Sequence, residues 1–171
     1  MNWQVISFYT VNTGYEQEIK KLESSLKRFK LPYHFFSYKP VGTWRKNLNY
    51  KSEAILKAFD MFPGKDIVFI DADAIVRQYP ALFDELSEKQ ECDIGACFFK
   101  YQPRSGDPDE LLSGTLWVKN GENGHTVIKR WHKIGLEWPN IRHQKCLKVA
   151  IIQLQQEGVD IKVNRFTFEY T

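Results

Sequence analysis

The residues best placed to do chemistry in this 171-residue chain are Asp71 and Asp73, with only Ala72 between them. They follow the uninterrupted apolar run Ile67-Val68-Phe69-Ile70. Residues two apart in an extended chain share a face, so both carboxylates would address one point in space. Paired hard oxygen ligands fit a Mg²⁺ or Mn²⁺ ion that also holds substrate phosphates. Small Ala72 and Ala74 leave room for a bulky ligand to approach. The plainer alternative is a solvated strand end, because Asp is frequent in turns.

The elements that must position these carboxylates follow from hydrophobic patterning. The apolar run 67–70 has the character of a strand buried on both faces of a parallel sheet. Val5 to Tyr9, Tyr33 to Tyr38, Asp93 to Phe99, Leu111 to Lys119 and Asp160 to Phe166 read as further strands. Glu16 to Lys30 carries Ile19, Leu22, Leu26 and Phe29 at helical spacing. A second helix starts near Tyr50, with Ala54, Ile55, Ala58, Phe59 and Phe62 on its apolar side. Ala81 to Lys89 forms a short third helix. Another starts near Asn123 with Val127, Ile128 and Trp131 on one face. Arg142 to Glu157 is the last, with Cys146, Leu147, Ala150, Ile151 and Leu154 inward and Gly158 as its C′ residue. Residues 40–47 and 102–110 are left as connections, and Pro103, Gly106 and Pro108 suit the second to a mobile flap. Ser113-Gly114 interrupts a strand, marking either a bulge or a close approach of backbone to ligand.

Alternation of strand and helix predicts an α/β fold, with a mostly parallel, Rossmann-like central sheet flanked by helices and built by right-handed crossovers. Length and the lack of any linker predict one compact domain over residues 1–171. Ligands of such sheets bind outside the carboxyl ends of the strands, where Asp71 and Asp73 fall.

Composition narrows the partners. A formal net charge of +3 with scattered Lys and Arg gives no case for nucleic acid. Five Trp and an aromatic content of 15% point to rings that line a binding surface, with core packing as the default for any single ring. Cys92, Cys97 and Cys146 match no zinc or CxxC spacing and read as buried free thiols of a reducing compartment. No signal peptide or integral membrane segment is visible, so a cytoplasmic location is expected. His34, His125 and His132 show no metal spacing and read as structural or surface residues.

Taken in order, Phe8-Tyr9-Thr10, Tyr50-Lys51-Ser52-Glu53-Ala54-Ile55, Ile70-Asp71-Ala72-Asp73-Ala74, Tyr79-Pro80 with Leu82-Phe83, and Ser113-Gly114-Thr115 resemble the GT-A glycosyltransferases, in particular the nucleotide-diphospho-sugar transferase group. The resemblance implies a metal-dependent glycosyltransferase. Its donor would be a nucleotide sugar, with UDP expected, and its acceptor a glycan, protein or small molecule. It implies that Tyr9, Thr10 and Val11 hold the base and ribose, and that Lys51 approaches the diphosphate. Asp73 would bind the cation directly, and Asp71 would bind ribose or share the metal, with Ala72 between them. Ser113, Gly114 and Thr115 would face the donor sugar and acceptor. Trp44 and Arg45, in a loop ahead of Lys51, are further candidates for substrate contact, Trp44 having core cover as its alternative.

Each position has a bland alternative: Lys51 a solvated surface lysine, Thr10 a helix cap, Ser113-Gly114 a bulge without a ligand. Two departures stand out. Where the family places Asp-Gln at the start of a late helix, this chain has His143-Gln144. His143 is either a general base or an exposed helix-start residue, and the exposed reading is preferred. The family's third metal ligand, a His after the last strand, falls about where this chain reaches Glu169-Tyr170-Thr171. Two rival classes remain. One is a nucleotide-sugar-binding scaffold without turnover. The other is a haloacid-dehalogenase-like phosphatase, in which Asp71 would be the nucleophile and Asp73 the acid/base.

Overall fold

A computed structural model describes residues 1–100 and 109–167. The strands are β1 (Trp3–Thr10), β2 (Tyr33–Tyr38), β3 (Asp66–Ile70), β4 (Ile94–Lys100), β5 (Asp109–Val118) and β6 (Val163–Phe166). The helices are α1 (Tyr15–Arg28), α2 (Trp44–Asn47), α3 (Tyr50–Met61), α4 (Ala81–Lys89), α5 (Glu122–Glu137) and α6 (His143–Gln156). The strands make one sheet in the order β2-β1-β3-β5-β4-β6. Pairing is parallel for β1 with β2, β1 with β3 and β4 with β6, whereas β5 runs antiparallel to both of its neighbours. Five strands therefore point one way and β5 alone is reversed. The sheet is mostly parallel, as the alternation predicts.

Period-two alternation divides the sheet's side chains between two cores. Ile6, Ile67, Phe69, Leu116 and Val118 face α3, α5 and α6, where Ile55, Trp131 and Leu147 pack against them. Trp3, Val5, Val68, Ile70 and Trp117 face the opposite side, against Leu22 and Leu26 of α1 and Phe83 of α4. All five residues of β3 are buried, because helices cover both faces of the sheet there. Each fully buried large side chain contributes about 1.5–3 kcal/mol by transfer.

Helix ends show why the boundaries lie where they do. Gly158 takes φ +88°. The N–H of Val159 returns to the carbonyl of Leu154 at 3.0 Å, and that of Gly158 to Gln155 at 3.1 Å, which satisfies two orphan carbonyls of α6. Lys30 plays the same part for α1 at φ +53°, with Leu31 N–H on the Leu26 carbonyl at 3.1 Å. That helix ends at Arg28, two residues short of the predicted Lys30.

Other expectations need correction. Segment 40–47 is not all connection, since residues 44–47 form α2. The last strand starts at Val163 instead of Asp160. Thr10 caps no helix: it is buried, its hydroxyl lies 3.0 Å from that of Thr13, and its carbonyl accepts from Thr13 at 2.7 Å. Most of the predicted flap, residues 101–108, lies outside the described residues, and Asp109 and Glu110 belong to β5. Among the described residues no helix is long and apolar enough to cross a membrane.

Candidate active site

The carboxyl ends of β1 and β3 open into a cleft of about 470 Å³, within the usual range for small-molecule sites. Tyr9 and Thr10 enter it from β1, Trp44 and Arg45 from α2, and Lys51 from α3. Asp71, Ala72 and Asp73 enter from the end of β3, Ser113 from β5, and His143 and Gln144 from α6. Val11 is not part of the wall, its N–H being committed to the Tyr38 carbonyl at 2.9 Å. Gly114 and Thr115 stand behind the wall, Thr115 paired with Ile70 in the sheet.

The two carboxylates do not share a strand face, contrary to the spacing argument. β3 ends at Ile70, and Asp71 to Ala74 form a turn closed by the Ala74 N–H on the Asp71 carbonyl at 3.0 Å. Both still reach the cleft, because the turn folds over its floor. Their environments differ sharply. Asp71 is largely enclosed and Asp73 is exposed. Burial pushes the Asp71 carboxyl above the ordinary carboxylate range against the pull of Lys51, and the neighbouring charge of Asp73 pushes the same way. A third of the Asp71 side chain faces the cleft, but protein packed around the rest of it excludes enough water for desolvation to win.

Lys51 is not a surface lysine. It is 6% exposed in the first turn of α3, where the helix dipole disfavours a cation. Its ammonium is held instead by Asp71, with Nζ 2.7 Å from Oδ1 and 2.9 Å from Oδ2, and by the Ser113 carbonyl at 3.3 Å. Phe69 places its ring centroid 5.5 Å from the same nitrogen.

Ser113, Gly114 and Thr115 are both a bulge and a close approach. The β4–β5 register jumps from Ala96 opposite Leu116 to Cys97 opposite Leu112, leaving these three residues out of the ladder. Freed from β4, the Gly114 carbonyl accepts the Asp71 N–H at 2.8 Å. A Cβ on Gly114 would sit 3.4 Å from Asp71 Oδ2. The bulge therefore fixes the backbone of the acidic turn while leaving space for its side chain.

His143 is not an exposed helix-start residue. It is 4% exposed, its ring centroid 4.3 Å from that of Trp131, and Trp131 Nε1 donates to its backbone carbonyl at 2.9 Å. Neither ring nitrogen has a hydrogen-bond partner among the described residues. Burial holds its pKa well below the ordinary histidine value, and the nearby charges of Lys51 and His132 add to the effect. Gln144 donates to the buried carboxylate of Glu110 at 2.6 Å, which Arg142 also approaches at 3.3 Å. Sequence reasoning missed Glu110 because it lay at the end of an apparent loop. Tyr15 and Arg142, also in the wall, carried no local signal.

Trp44 covers no core: it is 59% exposed and its indole N–H reaches Tyr15 Oη at 3.2 Å. Arg45 reaches across the cleft mouth to the Asn140 carbonyl at 3.1 Å. The remaining histidines are structural, as expected. His125 stacks on Phe59 at 4.0 Å, His132 lies 3.0 Å from Ser52 Oγ, and His34 sits edge-on to Phe36. All three cysteines are free and buried.

Among the described residues no three His, Cys, Asp or Glu side chains converge as a metal cage. What exists is one exposed carboxylate, Asp73, beside one already paired with lysine. That donor set fits a hard cation held mainly by phosphate oxygens and water, as Mg²⁺ commonly is, and does not fit a closed protein-only site.

The arrangement is a GT-A-like fold. It matches the crystal structure of a glycosyltransferase involved in glycosylation of the major capsid of PBCV-1, with a TM-score of 0.68 and 16% identity over 95% of this chain and 80% of that one. It also matches a Bacillus anthracis structure assigned as a glucose-1-phosphate thymidylyltransferase, with a TM-score of 0.51 and 10% identity over 95% of this chain and 67% of that one. At these identities the likeness is one of fold. No family model matches the sequence, and no curated protein matches it significantly.

Proposed function

We propose that this chain is a glycosyltransferase that takes a sugar from a nucleotide-sugar donor, UDP-linked by expectation, and passes it to a hydroxyl-bearing acceptor. The observation that carries this reading is the meeting of three features in one cleft at the strand ends: the Tyr9–Thr10 terminus, the enclosed Lys51–Asp71 pair and the open Asp73 carboxylate. Tyr9 and Thr10 take the nucleoside, and Lys51 fixes Asp71 beneath it. Asp73, with Asp71 behind it, would hold Mg²⁺ or Mn²⁺. Such an ion, when bound, supplies positive charge against the charge that develops on the leaving diphosphate. Lys51 adds to that charge only in part, because Asp71 already neutralises it.

His143 enters this scheme as a neutral imidazole. A strongly depressed pKa leaves little driving force for taking a proton. Both its ring nitrogens are buried as well as unpartnered among the described residues, so it serves as part of the wall and meets a sugar hydroxyl only if the packing around it opens, while Gln144 has its amide nitrogen held by Glu110. Trp44 and Arg45 stand at the mouth, where a sugar would enter.

A second reading, a nucleotide-sugar binder without turnover, is favoured by one observation: both oxygens of Asp71 are spent on Lys51, leaving Asp73 alone to face a cation. The test is a thermal-shift screen of UDP, GDP and CMP and their sugar conjugates with Mn²⁺, Mg²⁺ or EDTA, followed by donor hydrolysis. Ligand at about 100 times its dissociation constant adds about 2.7 kcal/mol to stability. A shift that EDTA abolishes, with hydrolysis of the same donor, supports the transferase. A shift without hydrolysis supports the binder, and no shift with any nucleotide overturns both.

A further inference from the structure

Five of the ten large apolar side chains exposed among the described residues gather on two segments, 39–46 and 136–145: Val41, Trp44, Leu136, Trp138 and Ile141. Both segments border the same cleft, Trp44 and Arg45 from one side and Arg142 and His143 from the other. They are tied together by the Arg45 guanidinium on the Asn140 carbonyl at 3.1 Å, and just beyond their ends the Asn49 amide donates to the Gly135 carbonyl at 3.1 Å. Exposed cations are interleaved with the apolar groups: Lys39, Arg45, Lys46, Arg142 and Lys145, against the single carboxylate of Glu137. Even with Arg142 partly neutralised by Glu110 at 3.3 Å, the excess positive charge here matches that of the whole chain, +3.

This face combines rings with a polar handle, short aliphatic side chains and cations, and outside the cleft acids and the Glu110 that pairs with Arg142 its only carboxylate among the described residues is Glu137. That is the chemistry of a surface seated at a lipid headgroup layer. Indole rings partition to the interface, aliphatic groups enter the acyl boundary, and Lys and Arg pair with anionic headgroups. A protein partner would be expected to meet a drier, less charged centre. We propose that the cleft rim formed by 39–46 and 136–145 docks onto an anionic phospholipid surface. Val41, Leu136, Trp138 and Ile141 then sit at the interface, and Trp44 marks the boundary between membrane and cleft. The cleft mouth opens within the same face, so docking brings it to the headgroup layer. On the transferase reading, on which this last step rests, the acceptor is a headgroup hydroxyl of a membrane lipid.

The test uses the full chain and vesicles of phosphatidylcholine with or without phosphatidylglycerol. Co-flotation is expected with the anionic vesicles and not with neutral ones. Trp3, Trp117 and Trp131 are fully buried, so in a Trp44→Phe background Trp138 is the one exposed tryptophan, and brominated lipid should quench it. Lys46→Glu with Lys145→Glu should lower binding by at least about tenfold, and Trp138→Ala with Ile141→Ser by roughly tenfold. Failure to float with anionic vesicles at low salt overturns the proposal, as does flotation with no quenching of Trp138. So does a concentration-dependent dimer that the same variants dissolve, which would assign the face to a second copy of the chain. Vesicle binding needs no nucleotide, so its failure leaves the nucleotide site standing, and failure of the thermal-shift screen leaves the docking face standing.

Discussion

Lys51 Nζ lies 2.7 Å from Oδ1 and 2.9 Å from Oδ2 of Asp71, joining the first turn of one helix to the turn that ends the central strand. A cation at a helix N-terminus and a carboxylate in a poorly hydrated floor are each unfavourable alone. Together they are tolerated, and they set the geometry in which Asp73 is the open carboxylate of the cleft.

Lys51→Met should destabilise the fold by about 1–3 kcal/mol, below the 3–5 typical of breaking a fully buried pair, because Asp71 is one-third open to the cleft. Adding Asp71→Asn to Lys51→Met should cost much less than the sum of the single losses. Urea denaturation of the double-mutant cycle measures the coupling, and strictly additive losses would show that the pair is not a unit.

Asp73→Asn should leave stability within about 0.5 kcal/mol, as expected for an exposed side chain without an ion pair among the described residues. Metal-dependent nucleotide binding should nevertheless be lost. Calorimetric titration with a nucleoside diphosphate in Mn²⁺ checks it, and unchanged affinity in the variant removes Asp73 from the metal site.

His143 gives the fold a pH dependence with a definite sign. The folded state holds this imidazole neutral, while the unfolded chain protonates it near pH 6.5. A depressed folded pKa contributes stability above the unfolded value, which is lost as pH falls through about 6.5 towards the folded pKa. His143→Phe should flatten that part of the profile. Denaturant midpoints measured across this range for both proteins decide, and identical slopes would reject the assignment.

The Cys92 thiol is pushed up to about 11 by burial, with Asp93 adding to the effect, and burial raises Cys97 and Cys146 as well. Thiolate is the reactive form, so the native protein should react slowly with a disulfide reagent at neutral pH and release three thiols only in denaturant. A fast-reacting thiol in the folded state would contradict this.

Much of the site was legible because its signals are local. The run from Ile67 to Ile70 declares a buried strand, the two Asp residues mark its end, and every inward residue predicted for α6, from Cys146 to Leu154, is buried. Reading Asp71 and Asp73 as sharing a strand face failed because the two-residue period holds only inside a strand, whereas β3 ends at Ile70 and the Ala74 N–H on the Asp71 carbonyl closes a turn.

The sequence by itself determined the order of every strand and helix except the short α2, the apolar faces of α1, α3, α5 and α6, the αL glycine at 158 and the acidic pair that follows the third strand. Each is a property of a few neighbouring residues and their periodicity. Tertiary structure alone decided the reversed direction of β5, since hydrophobic alternation is the same in either direction. It alone buried Lys51 against a residue 20 positions away, and His143 against Trp131 and the cleft wall. A lysine or histidine in the first turn of a helix looks solvated in sequence. Whether water reaches it depends on which other element packs over it, and no local spacing records that.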